Sequence, residues 1–131
     1  MPKEKVHNYI YYFAHISLFI VFFWFGFIKF FGVSSANELI DALRVIMIPW
    51  WPFSSFIIFL GLWEVLIGIF MLSRKTEKLG IILLIPHMFT TFLPLFFLPA
   101  ITWQLFLIPT LEGQYILKNS IIVALALLIG T

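Results

Sequence analysis

Cysteine is absent from this 131-residue chain. That excludes disulfides, thiolate catalysis and Cys-ligated zinc or iron–sulfur centres, and leaves redox compartment unread. Charge is scarce as well: Asp, Glu, Lys and Arg make up 11% of the residues, against about 25% in a soluble domain. Internal repeats and low-complexity tracts are missing. So are a nucleophile–base–orienter set, a phosphate-binding glycine loop and a metal-ligand spacing, so no metal site is expected. What is present is apolar. Hydrophobic residues account for 63% and aromatic residues for 20%, with a mean hydropathy of +1.09. A chain this short keeps a large surface and cannot hide that much apolar side chain inside itself. A soluble globular enzyme, a disordered tail and a nucleic-acid-binding module are therefore excluded, and the lipid bilayer is the expected partner of the outer surface. The net charge of +2 reads as loop topology, not as an anion-binding patch.

Four segments reach the roughly 20 apolar residues that a crossing needs: about Tyr9 to Phe31, Phe53 to Leu72, Leu79 to Leu98 and Tyr115 to Gly130. The expected fold class is all-α, a four-transmembrane-helix bundle forming one integral membrane domain over residues 1–131. The first span follows Lys3 and Lys5, but it is too long and too aromatic for a signal peptide and lacks a small-residue cleavage site. It is expected to stay as an anchor. Lys3, Lys5, Arg74, Lys75 and Lys78 fall on one side of four crossings, and Arg44 lies in the loops of the other. The positive-inside rule then predicts a multi-pass protein of the cell (plasma or inner) membrane with both termini cytoplasmic.

Two outer links carry pattern. Ser35 followed by Glu38 fits a capping box. Leu39, Leu43, Ile46 and Met47 then recur at helical spacing, opposite Asn37, Glu38, Asp41 and Arg44, until Pro49. The prediction is an amphipathic interfacial helix over about 35–48, serving as a surface anchor or as a lid over a bundle cavity, with Trp50 and Trp51 at headgroup level. Ala100 to Gly113 holds Trp103, Phe106 and Leu107 between Pro99 and Pro109. It is too apolar for a solvated loop, and an interfacial or re-entrant piece packed against protein is expected.

Ionisable residues inside a span are costly, so each is a candidate site facing the bundle interior. Counting from the expected cytoplasmic ends at about 1.5 Å per residue places His15, Glu64 and His87 in one layer, about 9–12 Å deep. The faces agree: His15, Phe22, Gly26 and Lys29 align on span one, Gly61, Glu64 and Gly68 on span two, and Gly80, His87, Thr90 and Thr91 on span three. Asn119, Val123, Ala126 and Gly130 align on span four. A Glu64–His87 pair is expected near the middle. Such a pair either fixes helix register as a structural hydrogen bond, or shares a proton and binds a carbonyl ligand such as a quinone. His15 and His87 at one depth also match two axial haem ligands, if their rings converge on a large apolar slot. A second, outer cluster is expected from Lys29, Glu112 and Lys118, acting as interface anchors and ion pairs or as the mouth of a pocket.

Three stretches resemble one family. Gly26-Phe27-Ile28-Lys29-Phe30-Phe31-Gly32 and Gly61-Leu62-Trp63-Glu64-Val65-Leu66-Ile67-Gly68 resemble the first two spans of DoxX-like membrane proteins. Leu111-Glu112-Gly113-Gln114-Tyr115-Ile116-Leu117-Lys118-Asn119 resembles the start of their fourth span. The resemblance covers most of the chain and implies a compact four-helix integral membrane protein. The family includes subunit-type proteins linked to thiosulfate:quinone oxidoreduction, members of oxidative-stress complexes and relatives proposed as membrane-protein assembly factors. It implies Lys29, Glu64, Glu112 and Lys118 as motif residues. The chain departs from a thiol-based sulfur chemistry, having no cysteine.

Two functions follow as expectations. One is a redox-associated membrane subunit binding a quinone-like or other lipophilic ligand, with Glu64 and His87 at its head and Trp24 and Trp63 against its ring. A quinone or a bound lipid is then the cofactor-like molecule. The other is a non-catalytic scaffold or assembly factor docking a partner protein through the outer helix. The protein partners expected are a partner redox subunit, another membrane protein or a second copy of the chain. A transporter would need an oligomer, because four helices leave little room for alternating access and no inverted repeat is present. An independent enzyme is disfavoured by the missing catalytic sets.

Overall fold

The computed structural model describes residues 3–32 and 37–130. The long apolar runs fold as helices, the only spanning arrangement that satisfies every backbone group within one segment. In chain order the elements are α1 (Lys3–Lys29), α2 (Asn37–Met47), α3 (Phe53–Met71), α4 (Glu77–Phe92), α5 (Pro94–Phe97) and α6 (Pro99–Thr102). A hairpin of β1 (Trp103–Leu105) and β2 (Ile108–Pro109) follows, and then α7 (Leu111–Gly130). Four helical stretches are long and apolar enough to cross a membrane: α1, α3, α4 continued through α5, and α7. Each turns one narrow stripe inward. On α1 the stripe is His15, Leu18, Phe22, Gly26 and Lys29, three or four residues apart as a helix face requires, with Ala14 beside His15. The outward faces are apolar too, with Phe13, Phe89 and Leu128 all exposed. Helices that are hydrophobic all round belong in lipid or deep inside a large protein.

The core between the stripes is built from Leu18, Phe22, Ile67, Met71, Leu84, Met88 and Ala126. Close approach of α1 and α3 depends on glycine. A Cβ on Gly26 would lie 2.7 Å from the Gly61 carbonyl oxygen and 2.8 Å from the Glu64 Cβ. Small residues at a seam let helix backbones touch, which is the main source of helix association in lipid.

The boundaries differ from the apolar runs in instructive ways. Helix α1 begins at Lys3, six residues before the expected Tyr9, and α7 begins at Leu111, a turn before Tyr115. Polar residues continue a helix beyond its apolar stretch at no cost where water is available. The third span breaks after Phe92, because Pro94 lacks an N–H and restricts Leu93 before it.

Strands β1 and β2 add a small antiparallel element to a fold expected to be all-α. Trp103 faces Pro109 and Leu105 faces Ile108 across it. Its turn passes through Phe106 and Leu107, with Leu107 at φ 63°. Hairpin turns of this kind normally announce themselves by Asn-Gly or Gly, and this one carries neither. The segment is tied to the helices: the Trp103 indole donates to the Leu95 carbonyl at 3.0 Å, and the Thr110 hydroxyl donates to the Ile101 carbonyl at 2.6 Å.

Helix α2 lies between α1 and α3 in the chain and packs on α3 and α5. Arg44 pairs with Asp41 at 2.8 Å and donates to the Trp51 carbonyl at 2.7 Å, which fixes the turn from α2 into α3. Ser35, the expected capping-box residue, lies outside the described residues.

Candidate functional site

The Gly26–Gly61 contact brings the end of α1 against the middle of α3, and the charged residues beside it meet there. Lys29 Nζ donates to Glu64 Oε2 at 2.8 Å and to the Phe25 carbonyl at 3.2 Å. The other carboxylate oxygen, Oε1, lies 3.0 Å from His87 Nε2 on α4. Lys29, Glu64 and His87 are 5%, 8% and 4% exposed, so the three form one buried Lys–Glu–His triad. The imidazole sits between two rings at near right angles: Trp63 with centroids 5.2 Å apart, and Phe22 at 6.0 Å. The Trp63 indole is itself pinned, donating to the Leu83 carbonyl at 2.9 Å. Five side chains on three helices thus hold one another's orientation. One atom is left over. Among the described residues, His87 Nδ1 is buried and has no hydrogen-bond partner, a state in which polar atoms in proteins are rarely left.

The expected outer cluster is not assembled. Lys29 turns inward to Glu64, while Glu112 and Lys118 stay exposed on α7. The Lys118 ammonium lies 5.7 Å from the Tyr115 ring centroid. Lysine carries a long flexible stem, so residue position at a helix end does not decide which way its charge goes. Trp24 is 64% exposed on α1, whereas Trp63 is at the triad.

The single polar layer expected for His15, Glu64 and His87 is also corrected. His15 Nε2 lies 2.6 Å from Glu77 Oε2 at the start of α4, and its Nδ1 lies 2.9 Å from the Tyr11 carbonyl. The Tyr11 hydroxyl reaches both Glu77 oxygens at 3.0 and 3.2 Å, and lies 3.2 Å from the Ile129 carbonyl near the end of α7. The Arg74 guanidinium stacks over the Tyr11 ring at 4.4 Å. Glu77 and His87 are ten positions apart on α4, or about 15 Å along the axis. The structure therefore has two buried ionic clusters separated by an apolar layer. His15 and His87 occupy different clusters and do not converge on one haem-sized slot. Among the described residues no group of three or more His, Cys, Asp or Glu is placed to hold a metal ion.

Sequence reasoning placed Glu64 and His87 on facing stripes and missed their third partner. The signal was present, since Lys29 shares a face with Gly26 and Phe22. Glu77 and Tyr11 were missed as partners of His15, because Glu77 precedes the apolar run of the third span and looks like a loop residue.

An apolar groove of about 340 Å³ runs along the outside of α3 and α4 at the same level, lined by Phe59, Leu62, Trp63, Leu66 and Leu83. Trp63 lines the groove and packs against the His87 ring.

No family model matches the chain, and neither curated proteins nor solved structures yield a match.

Proposed function

We propose that the chain is a DoxX-like multi-pass membrane protein that binds a lipophilic, quinone-like ligand as a redox-associated subunit. The ligand's polar head sits at His87, its hydrocarbon body lies in the groove, and Trp63 joins the two. The single observation that carries this reading is the buried, unpartnered His87 Nδ1. A triad serving only as a helix clasp has no use for an imidazole acceptor held open in a desolvated setting, where an unmade hydrogen bond costs about 1–3 kcal/mol. Lys29 and Glu64 balance each other's charge and fix the ring. The test is titration of the detergent-solubilised protein with a decyl-tailed benzoquinone–quinol couple, followed by tryptophan fluorescence. Saturable binding is expected, about tenfold weaker in His87→Ala. Affinity that is the same in both proteins would reject the reading.

In the same reading both termini are cytoplasmic, and α2 lies at the outer interface with Trp50 beside it. The support is the placement of Lys3, Lys5, Arg74, Lys75 and Lys78 at one end of the helices. Because the chain has no cysteine, a lone Lys75→Cys reports cleanly. A membrane-impermeant maleimide is expected to modify it only after the cells are opened, and labelling in intact cells would invert the topology.

A further inference from the structure

Counting protons in the triad decides what kind of head His87 can hold. Lys29 donates to both the Glu64 carboxylate and a backbone carbonyl, as an ammonium does. An ammonium 2.8 Å from a buried carboxyl group favours the carboxylate, since a neutral acid there would leave a buried cation uncompensated. A carboxylate only accepts hydrogen bonds. His87 Nε2, 3.0 Å from Glu64 Oε1, must therefore carry the hydrogen. If His87 also carried one on Nδ1, the triad would hold a net positive charge and a donor with no acceptor, both in a desolvated setting. The charge-balanced state is Lys29 cationic, Glu64 anionic and His87 neutral with its hydrogen on Nε2. In that state Nδ1 is a bare lone pair.

We propose that the ligand's head is a hydroxyl that donates to His87 Nδ1, so that the site takes the phenol or quinol form of a lipophile in preference to the carbonyl form. This rests on the ligand-binding reading above and adds the polarity of the head to it. A carbonyl brings its own lone pairs against that of Nδ1 and makes no hydrogen bond, whereas a hydroxyl satisfies the triad's unpaired ring nitrogen. Sites built around a specific hydrogen bond reject analogues that lack its partner far more strongly than apolar pockets reject a change of size. The carbonyl head considered from the sequence would need a donor at Nδ1, and the Glu64 contact has already taken the ring's one hydrogen.

The experiment compares tetramethyl-benzoquinone with its quinol, under anaerobic conditions, on the full chain in detergent and on His87→Gln. A glutamine amide keeps a donor toward Glu64 but has no acceptor where Nδ1 stood, since its oxygen hangs from Cδ beside that donor and not from Cγ. The expected result is quinol binding about tenfold tighter than quinone in the natural chain, with the preference lost in His87→Gln. Equal binding of the two forms, or tighter binding of the quinone, overturns the proposal and leaves the ligand-binding reading standing. If neither form binds, both fall. Should His87→Gln fail to fold, nitrogen NMR of histidine-labelled natural protein decides. A bare Nδ1 with a protonated Nε2 supports the proposal, and the opposite tautomer or a doubly protonated ring overturns it.

Discussion

Glu64→Ala is expected to destabilise the folded bundle by about 3–5 kcal/mol, the range found when one member of a buried ion pair is removed. The substitution strands the Lys29 ammonium, which is 5% exposed and keeps, among the described residues, only the Phe25 carbonyl. It also deprives His87 Nε2 of its acceptor, so both ring nitrogens become unpartnered. Most of the loss is the penalty of an uncompensated buried charge, not the net worth of the pair. The double variant Lys29→Met with Glu64→Gln removes that charge and keeps an oxygen for His87 to donate to. It is expected to recover the greater part of the lost stability, since uncharged replacements of a buried pair are often neutral. Equilibrium unfolding of single and double variants in mixed micelles measures both effects. A loss below about 1 kcal/mol for Glu64→Ala, or a double variant no better than the single, would show that the triad is not a desolvated ion pair.

Gly26→Val attacks the same site through packing. The first added carbon would meet the Gly61 carbonyl oxygen at 2.7 Å, the Glu64 Cβ at 2.8 Å and the Val65 nitrogen at 2.9 Å. Two of these are backbone atoms in the middle of α3 and cannot swing aside, so α1 and α3 must separate. Overpacking of a well-filled interior costs about 1–3 kcal/mol and sometimes more. The upper end is expected here, because separation also stretches the Lys29–Glu64 contact three residues along α1. Unfolding in micelles reads the stability, and the quinol titration reads the site: both are expected to fall together. A variant with natural stability and natural quinol affinity would mean that the glycine seam does not hold the triad.

Helix number, inward faces and an apolar exterior were legible in the amino-acid sequence, because periodicity and hydropathy act locally. Gly61 and Glu64 share a stripe on α3, and Leu84 and His87 share one on α4, so the azimuth of each polar group follows from 3.6 residues per turn. The short hairpin was not legible, since its turn uses Phe106 and Leu107 where a turn signal would use glycine or asparagine. Nor was the inward turn of Lys29, which a helix end permits equally toward headgroups or toward a buried carboxylate.

The residues alone determined that four helices are long and apolar enough to span a membrane, and which face of each turns inward. Only the tertiary structure decided which polar groups meet: Lys29 with Glu64 and His87, and His15 with Glu77 and Tyr11 about 15 Å away. Periodicity sets rotation about a helix axis but says nothing of sliding along it. That axial register comes from contacts between helices, where glycine lets one backbone rest on another and each buried charge finds its counterpart.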